Sequence, residues 1–339
     1  MKIGAFSGMT CKKYLLVSAI LLIMFQGGFA QKKLAQTGFQ FLSVNPDART
    51  AALAGAMTTV SNYSGAILSN PAMLAEMEMD FDVMFSRNNW IADITHNASA
   101  LAYKPFGGQY GVVGLSLLMV DYGDVEGTIR ADNEQGYLET GIINPSAYAI
   151  GIGYAKQLSN RFSIGGQIKM ASQYLGPALR SISLEEETNA MDSMDKSVMA
   201  FDFGTVYKTG FRSLVFGMSV RNFSEEIKYA EEGFQLPLTF SIGFSYNVME
   251  FLPENCRDQT LLFTLDAVHP RSYPEYIKMG AEYKLLGSFA LRLGYVSDMD
   301  ETNLSYGLGI SKYGLGFDYA YTPFGVFDNV QRVSIHFSM

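Results

Sequence analysis

Charge is scarce in this chain: 17% of its 339 residues are Asp, Glu, Lys or Arg, against ~25% in an ordinary soluble domain. Cysteine, histidine and tryptophan are scarcer still, at 2, 3 and 1 residues. Cys11 lies in the N-terminal stretch, so Cys256 stands alone in the remainder and no intramolecular disulfide can form there. His96, His269 and His336 are far apart, without cysteine or carboxylate partners at ligand spacing, so neither a metal nor a cofactor is expected. Asp298-Met299-Asp300-Glu301 offers too few oxygens in too short a turn to hold calcium. Gly-x-Ser-x-Gly and Walker-type loops are absent. The Gly151-Ile152-Gly153 and Gly307-Leu308-Gly309 pairs have no helix behind them and read as small residues on one strand face. Nothing resembles a reaction centre, so the chain is not expected to be an enzyme. A net charge of -8 excludes nucleic acid as a partner, because phosphates need a basic surface.

What is present begins with an export signal. Lys2, Lys12 and Lys13 precede an apolar run from Tyr14 to Phe25, followed by small residues around Ala30. That order predicts a signal peptide over 1–30, cleaved after Ala30. The run falls short of the ~20 residues a spanning helix needs. Its removal takes three lysines and no acids, leaving 22 basic residues against 33 acidic.

From about Phe81 the chain follows a period of two. In Pro237–Val248 and Ser288–Val296, large apolar residues alternate with glycine, serine, alanine and charge. Side chains of a strand point alternately to its two faces, so each segment has one apolar and one small-or-polar face. Asp202, Asp266, Lys278, Glu282, Arg292 and Asp318 all fall on the second face by alternation. A sandwich core could not hold so many charges without a heavy desolvation cost, whereas the polar interior of a membrane barrel can. The same residues are expected to form a lumen-facing polar network. Tyrosines and phenylalanines at segment ends suit interfacial girdles.

About fourteen such segments occupy 81–339, with tight links alternating against longer ones near 121–145, 175–197, 223–236 and 322–328. The reading is an all-β chain: a transmembrane outer-membrane β-barrel of about 14 antiparallel strands, in the cell outer membrane of a Gram-negative bacterium. Residues 31–80 lack the strand rhythm and are expected to enter the lumen as an N-terminal plug, or hatch. Ala48–Met57 reads as a short helix, and Asn70-Pro71-Ala72 as a turn opening a helix with Pro71 first. Trp90 lies in the first long connection, where an interfacial anchor and a partner contact are both open.

Certain motifs resemble the PorV/PorQ-like family of outer-membrane proteins. Thr37-Gly38-Phe39-Gln40-Phe41-Leu42, Ala48-Arg49 and Ala51–Ala56 are similar to the family's mature start. Ser69-Asn70-Pro71-Ala72-Met73-Leu74 is similar to the Asn-Pro-Ala hatch turn that the family shares with fatty-acid-transporter-like (FadL-like) barrels. Asp121-Tyr122-Gly123-Asp124, Ser219–Phe223, Leu291–Tyr295 and Phe317–Tyr321 continue the likeness. It departs at Ala54-Gly55, Met73 and Met339. The resemblance implies a fourteen-stranded barrel with a hatch, acting in type IX secretion. Its partners would be outer-membrane lipid and secretion-system proteins or secreted cargo with C-terminal sorting domains, met by extracellular loops and rim. The alternative it leaves open is transport of a hydrophobic ligand.

Overall fold

The computed structural model describes residues 37–61, 63–130, 133–179, 191–229, 233–251, 259–297, 303–327 and 329–339. The expected signal peptide lies outside them. All belong to one compact unit, Ala35–Met339.

Fourteen strands close an antiparallel barrel. In chain order the first six are β1 (Phe81–Asn89), β2 (Thr95–Tyr103), β3 (Val112–Asp121), β6 (Ser146–Ser159), β7 (Phe162–Leu179) and β8 (Met191–Lys208). Then come β9 (Val215–Ser224), β12 (Thr239–Asn247), β13 (Gln259–Pro270) and β14 (Tyr276–Leu285). The last are β15 (Phe289–Val296), β16 (Leu304–Lys312), β17 (Leu315–Thr322) and β18 (Val330–Ser338). Closure joins β1 to β18, from Asp82 opposite Ser338 to Asn89 opposite Gln331. Phe81 and Met339 exchange backbone hydrogen bonds of 2.9 and 2.8 Å at the seam. Two further ribbons stand outside the wall: β4 (Val125–Arg130) with β5 (Tyr137–Ile143), and β10 (Ile227–Lys228) with β11 (Gly233–Phe234).

The wall is inside-out relative to a soluble protein. In β15, Phe289, Leu291, Leu293 and Tyr295 are exposed while Ala290, Arg292 and Val296 are buried. Phe85, Ile152, Leu308 and Ile335 each leave half or more of their surface outside. A soluble monomer rarely exposes more than a few hundred Å² of contiguous apolar surface, so this belt needs lipid. Tyr103, Phe106, Tyr110, Tyr207, Phe211 and Tyr313 ring the short-turn end, where amphipathic rings reach the headgroups. That end is closed by tight turns such as Leu286-Gly287 and Tyr313-Gly314, all four residues at positive φ, as two-residue hairpins require. By the rule that long loops face outward, the opposite end, with Trp90 and both ribbons, is the extracellular mouth.

Three differences from the sequence reading have physical causes. The helix expected over 48–57 is confined to Ala48–Ala52: Asp47 caps it, accepting from Thr50 N at 2.9 Å, and left-handed Ala54 and Gly55 end it. Strands β7 and β8 pair well past the membrane, to Leu179 and from Met191, with a register shift between Tyr174 and Pro177. The connection at Trp90 is short, since β2 begins at Thr95.

Candidate functional site: the barrel interior and its mouth

The segment from Phe39 to Met77 packs against the inward faces of strands on all sides. Helix Ala48–Ala52 meets β15, β16, β17 and β18; the turn Tyr63–Leu68 meets β1, β2 and β3; the turn Pro71–Glu76 meets β6, β7 and β8. Small residues make room for it. A side chain at Gly165 of β7 would place its Cβ 2.6 Å from Ala72 N, and one at Gly153 would fall 2.9 Å from Ile67 Cδ1. The Asn70 side chain accepts from Ala72 N at 3.1 Å, capping the Pro71 turn, and donates to Thr58 O at 2.6 Å.

The six lumen-facing residues read from alternation are all buried, and they fall into three groups. Glu282, Arg292 and Asp318 come together around Arg49. Glu282 receives two bonds of 2.9 Å from the Arg49 guanidinium and a third, of 2.6 Å, from Arg292 Nε. Arg292 Nη1 then reaches Asp318 Oδ1 at 2.5 Å. Forked guanidinium pairing of this kind is strong and fixes geometry. Asp266 takes a different partner, accepting from Thr58 N at 3.0 Å and Thr58 Oγ1 at 2.7 Å. Lys278, its cross-strand neighbour, rests over the Tyr276 ring at 5.7 Å. Asp202 stands apart on β8, with Lys169 at 2.7 Å and Asn222 N at 2.7 Å. Asn222 is left-handed, at φ 62°, where the β8–β9 register slips, and that turns its N–H toward the carboxylate.

Sequence reasoning missed Arg49, Lys169, Asp82 and Arg332. Lys169, Asp82 and Arg332 keep the inward parity of their strands, so a fuller use of the period of two would have found them. Arg49 lies off any strand, and no periodicity points from it to Glu282. Asp82 accepts from Ser64 N at 2.9 Å and Ser338 Oγ at 2.6 Å. Arg332 donates to Asn45 O and Thr322 Oγ1, at 3.1 and 3.0 Å, with its guanidinium 5.3 Å from the Trp90 ring. Trp90 is half-buried and also meets Phe324 edge-on.

At the mouth, Phe39, Phe41, Leu118, Val120 and Leu236 form an apolar cluster on which Tyr122, Tyr229 and Phe234 pack. Tyr229 stacks on Phe234 with centroids 5.3 Å apart. Its phenol is pushed up to about 12, first by burial and then by Tyr122 and Asp195, so it stays neutral and hydrogen-bonding at any physiological pH. A cavity of about 530 Å³ opens beside this cluster, with Trp90, Tyr273, Tyr276 and Phe324 on its walls. A second, of about 420 Å³, lies toward the short-turn end and includes Arg49, Glu76, Lys208 and Glu282. The two share no lining residue.

A closed barrel with an apolar exterior, interfacial aromatics and a charged interior is an outer-membrane barrel. The family model describing type IX secretion system protein PorV matches residues 28–257, more than half of the chain. The chain belongs to the PorV family. No curated protein sequence matches it. Among solved structures, it is similar to the Ralstonia pickettii toluene transporter TbuX, at TM-score 0.59 and 11% identity, covering 86% of this chain and 98% of that one. The CymD monoaromatic hydrocarbon channel aligns at TM-score 0.58 and 12% identity, covering 87% and 98%. The Pseudomonas putida toluene transporter TodX aligns at 0.55 and 12%, covering 90% and 98%. At such identities the likeness is one of fold. The family makes this chain an outer-membrane barrel of type IX secretion.

Proposed function

We infer that this barrel is a non-catalytic binding component of type IX secretion, holding secreted cargo or translocon and attachment partners at its extracellular loops and rim. The family match over 28–257 carries the reading. The interior supports it. Segment 39–77 is tied to the wall by Arg49–Glu282, Thr58–Asp266 and Ser64–Asp82, so it acts as a plug with Asn70, Pro71 and Ala72 in its hatch turn. A plugged barrel offers partners its outer surface rather than a pore. Maturation by cleavage after Ala30 belongs to the same reading, as does Trp90 as a contact at the mouth. A second reading, passage of a hydrophobic ligand, draws on the hydrocarbon-channel fold and on the aromatic cavity of about 530 Å³.

A mild-detergent pull-down of the tagged protein from native membranes, with mass spectrometry of proteins and lipids, separates the two. Recovery of a secretion-machinery barrel, or of exported proteins sharing a C-terminal β-domain, is expected. A stoichiometric apolar ligand with no protein partner would sink the secretion reading and favour transport.

A further inference from the structure

The β4–β5 ribbon is built unlike the rest of the molecule. It pairs six residues of one strand with seven of the other and, among the described residues, joins no other sheet, so each strand keeps one edge free of strand pairing there. Ahead of the second strand, Gly136 N donates to Asn133 O at 3.1 Å, and the Asn133 amide donates to Tyr137 O at 2.9 Å. Every residue from Tyr137 to Ile142 is exposed, with Leu138 at 52% and Ile142 at 67%. Val125 on the other strand is 46% exposed. Being at the mouth, the ribbon lies above the apolar belt, so lipid tails cannot cover these side chains. An isolated two-stranded ribbon is marginal in water, and open edges with apolar faces invite another strand.

Charge narrows the occupant. Residues 121–145 contain six acids and one arginine. A second copy would bring the same acidic ribbon, and like charges across an interface are penalised. We propose that the β4–β5 ribbon is a strand-acceptor site, adding to its open edge an extended segment in which apolar residues alternate with Lys or Arg. Such a segment would come from a β-rich secreted protein, so this inference rests on the secretion reading and names one place and one mode of contact within it. Main-chain hydrogen bonds supply the pairing. The register shift at Thr140 places Leu138, opposite Ile129, on the same face as Val125, where the apolar side chains are received. Glu126 and Glu139 on the other face select the basic ones.

The test uses the full chain in detergent micelles and a labelled synthetic peptide alternating valine and lysine, followed by fluorescence anisotropy. Saturable binding is expected, weakened by salt and stronger than for the valine–glutamate counterpart. Replacing Val125→Asn and Leu138→Asn together is expected to weaken it roughly tenfold through lost apolar burial. Peptide N-methylated at alternate residues is expected not to bind. A variant with 126–142 replaced by a short glycine–serine turn, checked as folded by its heat-dependent gel mobility, is expected not to bind either. Undiminished binding by the methylated peptide, or by the ribbon-deleted barrel, overturns the proposal. So does disulfide cross-linking of two copies through Thr128→Cys without peptide, which assigns the edge to self-association. If ribbon deletion leaves the secretion partners of the pull-down unchanged, the ribbon proposal falls and the secretion reading stands. If the intact protein recovers no such partner, the reading itself falls.

Discussion

One inner segment is held in two different ways on two sides of the same barrel. Toward β14–β17, Arg49, Glu282, Arg292 and Asp318 form a buried chain of alternating charges. Toward β1–β8, Ala66, Ile67, Ala72, Met73 and Leu74 pack with Met84, Ala100, Ala102, Val112, Ala155 and Val206, an apolar core with single carboxylates at its margin: Asp82 accepting from Ser64 N, and Glu76 paired with Lys208. The charged side gains direction, since a fork of N–H groups accepts a carboxylate in few geometries. The apolar side gains contact area and tolerates small shifts. Registration of the segment therefore comes most from the multi-membered ion chain, with single polar ties and close apolar fit on the other wall.

That contrast can be broken at either side. The largest effect is expected from Glu282→Ala, which strands two buried guanidiniums; loss of one partner from a buried pair costs about 3–5 kcal/mol. Urea unfolding of the barrel in lipid vesicles should show the lowered midpoint. An unchanged midpoint would remove the ion chain from the account. Next comes Leu74→Ala, fully buried on the apolar side, for which about 2–4 kcal/mol is expected by the same measurement. Its effect should add to that of Glu282→Ala if the two sides act independently. The smallest is Asn70→Ala, which removes the cap on Ala72 N for about 1 kcal/mol. Protease access to the bond region around Ser69 should rise in that variant while strand content by circular dichroism stays constant.

Much of the wall was legible because a membrane barrel writes its environment into every second residue. Phe289, Leu291, Leu293 and Tyr295 face lipid, Arg292 faces in, and the period of two states both. The fourteen segments follow from that period together with turn signals such as Tyr313-Gly314. Beyond the membrane the rule lapses, because neither face of an extracellular hairpin must be apolar. For that reason the strand residues from Leu175 to Leu179, and the β4–β5 ribbon within 121–145, read as loop. The interior charges were legible as a set but not as pairs. Alternation gives the face of a side chain and says nothing of its partner across the lumen.

By itself the sequence determined the class of strand, the face of each side chain and the apolar band that demands lipid, since these depend on residues two apart. The tertiary structure alone decided that Arg49 meets Glu282, that Thr58 meets Asp266, and that a left-handed Asn222 turns to Asp202. Those contacts join residues as many as 233 positions apart, where no local period reaches and only closure of the barrel brings the groups within hydrogen-bond range.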